Sequence, residues 1–149
     1  MKKSFFLLIA FSFITIVKAQ NTNFTFNHLA LSVKNLDESA TFYKEVLGLQ
    51  EITNKTKMDG IRWFSLGEGK ELHLISFLKE PVIINKAVHF ALSTSNFDGF
   101  IKTLEANKVT YSDWPGTPNK INVRADGIKQ IFLQDPNGYW IEVNSVWNK

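Results

Sequence analysis

The sequence holds three histidines, His28, His73 and His89, and no cysteine. Imidazole nitrogens and carboxylate oxygens are therefore the donors available to a transition metal, with thiolate excluded. Two of the histidines open matching segments. His28-Leu-Ala-Leu-Ser-Val-Lys-Asn-Leu-Asp37 reads against His89-Phe-Ala-Leu-Ser-Thr-Ser-Asn-Phe-Asp98 with six of ten positions identical and two more exchanging Leu for Phe, at an offset of 61. So dense a match implies two structural copies. Aligning Gly69 with Gly138 further on sets His73 opposite Glu142 and Ser76 opposite Ser145, at an offset of 69. The second copy thus carries eight additional residues, for which Trp114-Pro-Gly-Thr-Pro118 and the polar stretch after it are the natural place.

A single strand histidine is usually a hydrogen-bonded structural residue. Core packing gives no reason to place every histidine at repeat-equivalent positions, whereas a metal does. Its bonds of about 2.0–2.2 Å require side chains from several strands aimed at one point. His28, His73, His89 and Glu142 are the expected metal ligands, and Glu142 is the expected catalytic carboxylate. Glu71 lies two residues before His73 on the same strand face and would replace it if the hairpin slipped by one pair. Trp140, on the face of Glu142, is a candidate pocket wall. Asn144, Ser32 and Ser93 are candidates to orient the ligands.

The elements that must position these residues follow from hydrophobic period. Leu29, Leu31 and Val33 point to one side of a strand, and His28, Ala30 and Ser32 to the other. Phe90 and Leu92 repeat this against His89, Ala91 and Ser93. One face is apolar, and the other sets a histidine beside small residues that leave room above it. Asp37 and Asp98 are the expected caps of helices over residues 38–47 and 100–107, with Gly48 stopping the first. Strands are expected over 49–53 and 109–113, then hairpins 61–66/72–77 and 128–133/140–146, the latter turning at Asp135-Pro-Asn-Gly138. Each copy reads as strand-helix-strand-strand-strand. The fold expected is α+β: two tandem βαβββ modules, about 26–77 and 87–147, forming a curved, partly open, barrel-like mixed sheet with helices outside.

The first twenty residues read separately. Lys2 and Lys3 precede the fourteen-residue apolar run Ser4 to Val17, and Val17-Lys18-Ala19 suits a signal peptidase. Such a run is short for a bilayer span of about 20 residues. Residues 1–20 are expected to be a signal peptide, residues 21–149 the mature domain, and the protein periplasmic or secreted. The formal charge of +3 comes from the three lysines of that leader. The mature chain is neutral, which gives no support for a nucleic-acid partner, and after leader removal nothing calls for a membrane.

His28-Leu-Ala-Leu-Ser-Val, Phe42-Tyr43 through Leu47-Gly48-Leu49, His89-Phe-Ala-Leu and Asp135-Pro-Asn-Gly-Tyr-Trp-Ile-Glu142 together resemble the vicinal oxygen chelate superfamily, the glyoxalase, bleomycin-resistance and extradiol-dioxygenase group. The resemblance spans essentially the whole mature chain. It implies paired βαβββ modules and a divalent ion (Zn, Ni, Fe, Co or Mn) on His28, His73, His89 and Glu142. It also implies a small-molecule substrate and a homodimer, in some members with each site built from both chains. Glyoxalase-type lyases usually carry Glu or Gln where this chain has His73, which leaves Glu142 as the one carboxylate ligand. The activity so implied is that of a lyase or isomerase whose metal chelates adjacent substrate oxygens and stabilises an enediolate. An extradiol-type iron dioxygenase using His28, His89 and Glu142 is the alternative. A binding protein without catalysis, of the bleomycin-resistance kind, is the third reading. A thiol transferase needs a cytosolic thiol, which fits poorly with export.

Overall fold

The structure is a computed structural model that describes residues 24–78 and 80–146. The leader expected at residues 1–20 lies outside the described residues. No helix among those described is long and apolar enough to cross a membrane.

The first module runs β1 (His28–Ser32), α1 (Leu36–Thr41) continuing into a π-helical turn (Phe42–Val46), β2 (Glu51–Ile52), β3 (Ile61–Gly67) and β4 (Lys70–Ile75). The second runs β5 (His89–Ser93), α2 (Phe97–Ala106), β6 (Tyr111–Ser112), β7 (Asn122–Val123), β8 (Lys129–Gln134) and β9 (Trp140–Asn144). β7 has no counterpart in the first module and belongs to the region of the eight additional residues.

The chain forms mixed α+β modules with few helices and no closed barrel. Its strands make two sheets, ordered β1-β4-β3-β2 and β5-β9-β8-β6, with β7 beside β8. Among the described residues β1 and β5, the strands that open on His28 and His89, each pair with a strand on one side only. Both are joined in parallel to the last strand of their own module. The registers match: Ala30 lies opposite His73, and Ala91 opposite Glu142. The alignment that brought His73 against Glu142 across an offset change therefore has a direct structural equivalent.

The helix caps differ from expectation by two residues. Asn35, not Asp37, caps α1, its Oδ1 accepting from the N–H groups of Asp37 and Glu38 at 3.1 and 3.2 Å. Asn96, not Asp98, caps α2 through Gly99 N–H at 3.1 Å. The short amide side chain reaches first-turn donors from just outside the helix. The two aspartates instead stand inside the first turn, where negative charge favours the helix dipole.

One hydrophobic core joins the modules. Leu31, Val33, Tyr43, Phe64, Leu72 and Leu74 share it with Phe97, Leu104, Ile131, Leu133, Ile141 and Val143. The apolar face of each sheet and the apolar stripe of each helix meet in it, so the helices lie on the side of each sheet opposite the histidines. Polar ties reinforce the contact, and most come from the Asp135-to-Tyr139 turn. Tyr43 Oη donates to Asp135 Oδ2 at 3.0 Å, and Asn137 Nδ2 donates to Ser39 Oγ at 2.8 Å. Asn137 Oδ1 accepts from Lys34 N–H at 2.8 Å, and Tyr139 Oη donates to the Ser32 carbonyl at 3.1 Å. This turn does more than close a hairpin: it docks one module on the other.

Candidate metal centre

Because side chains alternate along a strand, the residues not directed into the shared core line the opposite face of each sheet. On the first sheet that face carries His28, Glu71, His73 and Trp63. Trp63 and His73 are register partners on adjacent strands, and their rings stack at 4.0 Å and 8°. His28 stacks on the other side of His73 at 4.6 Å and 14°. His73 Nε2 lies 2.9 Å from Glu71 Oε2. The hydrogen bond to His73 draws the Glu71 carboxyl below the usual range; burial opposes this and Lys55 assists it. The two contenders for one ligand position are thus bonded to each other. His28 Nδ1 lies 2.7 Å from Asn27 Oδ1. Trp63 is buried, and its Nε1–H has no acceptor among the described residues.

On the second sheet the same face carries His89, Glu142, Asn144, Trp140 and Phe132. His89 Nδ1 is 2.9 Å from the Lys86 carbonyl oxygen, and His89 Nε2 is 3.4 Å from Glu142 Oε2. The other carboxylate oxygen, Oε1, accepts from Asn144 Nδ2 at 2.9 Å, and Asn144 Oδ1 in turn accepts from Ser93 Oγ at 2.9 Å. Asn144, braced by Ser93, therefore fixes the orientation of the carboxylate. The additional loop covers one end of this face. Trp114 packs edge-on against Phe132 at 5.3 Å and His89 at 6.2 Å. The loop is itself held by buried Asp113, which accepts from the N–H groups of Gly116 and Thr117 and pairs with Lys120 at 3.1 Å.

The sequence-predicted ligands are therefore brought together in two pairs, His28 with His73 and His89 with Glu142. Among the described residues no three His, Asp or Glu side chains of one chain gather closely enough to hold an ion. The reason is hydrophobic: the modules unite through their apolar faces, so the polar faces turn away from the common core.

The donor chemistry suits a divalent cation. A carbonyl oxygen only accepts, so Nδ1 of His89 must carry a proton, and in the neutral ring Nε2 presents a lone pair. That lone pair faces the carboxylate oxygen of Glu142. Two acceptors so opposed require a proton or a cation between them. A histidine whose second nitrogen is fixed by a carbonyl, beside a carboxylate whose second oxygen is fixed by an amide, is the arrangement by which proteins prepare ligands. Trp63, Lys86, Phe132 and Trp114 were not singled out from the sequence. Trp63 and Phe132 were in principle visible, since each sits across a hairpin from a predicted ligand. Lys86 and Trp114 act from a linker and an insertion, where no periodicity reports direction.

Comparison with known proteins agrees with this architecture. The chain is 27% identical over 125 residues to the metallothiol transferase FosB of Staphylococcus epidermidis, covering 80% of each. It is 26% identical over 125 residues to "Glyoxylase I 4" of Arabidopsis thaliana, covering 78% of this chain and 68% of the relative. The solved structure of the oxidase ChaP-H2 superposes with a TM-score of 0.69 at 23% identity, covering 83% of this chain and 94% of that one. The profile described as "Glyoxalase/Bleomycin resistance protein/Dioxygenase superfamily" matches residues 25–143, a span that takes in both repeats and all four candidate ligands. Members of that superfamily generally depend on a divalent metal, bind small molecules and often dimerise. With paired modules, matched registers and a profile running across both, the chain belongs to the glyoxalase/bleomycin resistance/dioxygenase superfamily.

Proposed function

We propose that this protein is an exported, divalent-metal-dependent enzyme of the glyoxalase-like type, a lyase or isomerase acting on a small substrate that offers adjacent oxygens. In this reading the centre is built by two copies of the chain, His28 and His73 of one meeting His89 and Glu142 of the other. The observation that carries it is the opposed pair of acceptors, His89 Nε2 and Glu142 Oε2 at 3.4 Å, each fixed from behind. β1 and β5 each lack a second strand partner among the described residues, apart from the Tyr139 hydroxyl at the Ser32 end of β1, and this supports the shared site. Unpaired strand edges favour another chain, and exposed Phe26, Ile83 and Val88 fringe them.

A bound divalent ion would supply Lewis acidity to the substrate's oxygens. The chain's own residues do the rest. Asn144 holds Glu142 Oε1, so Oε2 is the oxygen directed into the site, the one that would hold the ion beside His89 Nε2 and, when it leaves the ion, move a proton at the carbon beside the chelated oxygens. Trp114, Phe132 and Trp140 wall the second sheet's face and limit water there. Export rests on the N-terminal pattern of charge, apolar run and small residues.

A second reading has its own support. His73 Nε2 is engaged by Glu71, which leaves His28, His89 and Glu142 as a two-histidine, one-carboxylate set suited to iron and dioxygen. Metal analysis of protein purified without chelator separates the readings. Near-stoichiometric Zn, Ni, Co or Mn without O₂ uptake supports the lyase or isomerase, and iron supporting O₂ uptake with a catechol supports the dioxygenase. Metal-free protein unaffected by His28→Ala would leave a binding protein. His89→Ala and Glu142→Gln are each expected to remove the metal. Sequencing the N-terminus of protein recovered outside the cytoplasm tests cleavage near residue 20.

A further inference from the structure

The linker between the modules ends in a lysine whose ammonium takes no part in the proposed centre. Lys86 lies three residues before His89, and its half-buried side chain turns its ammonium toward the second module. Nζ donates to Ser112 Oγ at 3.1 Å, to the Trp114 carbonyl at 3.0 Å and to the Asp113 carbonyl. Three N–H donors thus meet three acceptors, all at the end of β6 and the start of the additional loop. The same nitrogen lies 4.7 Å from the Phe132 ring centroid, 5.0 Å from that of Trp140 and 5.8 Å from that of Trp114. Those distances fall within the range in which aromatic faces attract a cation. An ammonium with every donor used cannot also serve a substrate, so its work is to hold the protein.

We infer that Lys86 is a positioning residue for the second half-site: its ammonium fastens the linker to residues 112–114, and its carbonyl thereby keeps the His89 ring turned with Nε2 toward Glu142. The backbone carbonyl of Lys86 is the acceptor for His89 Nδ1. Its place is set by where the side chain anchors that stretch of backbone, because residues 81–88 form no strand and only a turn. The same ammonium holds Trp114 against His89, so the ring is fixed at both its edge and its nitrogen. The inference deepens the proposed metal reading and rests on it for its purpose, although the contacts it describes are among the chain's own residues.

The test uses the full mature chain, with Lys86→Met and Lys86→Arg. Methionine keeps reach and apolar contact but lacks donors, while arginine retains charge and donors. With only three histidines, ring ¹H–¹⁵N NMR of metal-free protein is assigned by single His→Ala variants. The wild type should show His89 as the Nδ1–H tautomer with a slowly exchanging ring proton. Lys86→Met should show mixed tautomers and rapid exchange at His89 alone, with His28 and His73 unmoved, and Lys86→Arg should recover most of the wild-type signal. In a Zn²⁺ titration, Lys86→Met should bind about tenfold more weakly, the lower end of what loss of an orienting contact costs a metal site. An unchanged His89 tautomer in a folded Lys86→Met protein overturns the inference. If wild type takes up no Zn²⁺ while the NMR difference stands, the metal reading falls and the positioning role survives.

Discussion

Tyr43 shows how a single side chain can serve two modules. Its ring is fully buried in the shared core, and its hydroxyl donates to Asp135 Oδ2. Burial, reinforced by the charge of Asp135 and the hydrogen bond to it, pushes the phenol far above its ordinary pKa, so it stays protonated and a donor throughout the stable pH range. Asp135 also accepts from the N–H groups of Asn137 and Tyr139 and is itself buried. Tyr43→Phe keeps the packing and removes one bond to a buried carboxylate, a loss of about 1.5–3 kcal/mol. Urea unfolding followed by tryptophan fluorescence should show a lower midpoint with an unchanged slope. A shift of less than about 0.5 kcal/mol, the scatter of ordinary surface changes, would mean that the tie between modules does not depend on this bond. From the sequence Tyr43 was visible only as part of the Phe42-Tyr43 motif, since nothing local indicates that a residue 92 positions away would accept its hydrogen bond.

The elements were legible to the extent that their signals are local. Both β1 and β5 were visible from alternation, and the hairpins from their turns. Helix starts were misread because Asn-Leu-Asp and Asn-Phe-Asp each offer two cap-forming residues, and only geometry decides which reaches the first-turn amides. The cap of α2 allows a sharp test. A Cβ on Gly99 would lie 2.5 Å from Asn96 Oδ1, so Gly99→Ala displaces the cap while gaining helix propensity. Losing the cap costs about 1 kcal/mol and replacing Gly by Ala returns about 0.5–1. Asn96→Ala should therefore destabilise by about 1 kcal/mol, Gly99→Ala should be nearly neutral, and adding Gly99→Ala to Asn96→Ala should restore stability rather than deepen the loss. The additional loop yields a pH prediction. Burial raises the Asp113 carboxyl, but hydrogen bonds from Thr117 and the Lys120 ammonium outweigh it and leave the group below its ordinary value. A depressed carboxyl stabilises the fold above its unfolded pKa of about 4 and loses that contribution as pH falls through the folded value. Asp113→Asn should be less stable than wild type at pH 7, with the difference narrowing as pH falls below the unfolded carboxyl's pKa of about 4. A difference that persists in acid would assign the loop's stability to shape alone.

At the scale of the whole molecule, alternation says which residues share a face but not where two such faces will go. The repeat made four ligand-type residues visible and suggested that they converge. Hydrophobic burial instead joins the apolar faces of both modules in one core, leaving His28 with His73 and His89 with Glu142 on faces that turn apart. If a second copy completes each centre, the two pairs behave as separable halves, and mixing chains tests this directly. His28→Ala/His73→Ala removes the first pair and His89→Ala/Glu142→Gln the second, so neither variant alone should bind a divalent ion. A dimer containing one chain of each kind has one site with all four residues intact and one with none. Co-expressed with different affinity tags and purified through both, that heterodimer should bind close to one ion per dimer, against two for the wild type, at wild-type affinity. A centre confined to a single chain predicts no binding in the mixture, because each chain lacks half of it. Independent half-sites predict instead that each double variant alone retains one ion per chain. The stoichiometry of the mixed dimer therefore distinguishes a shared centre from both alternatives without knowledge of the substrate.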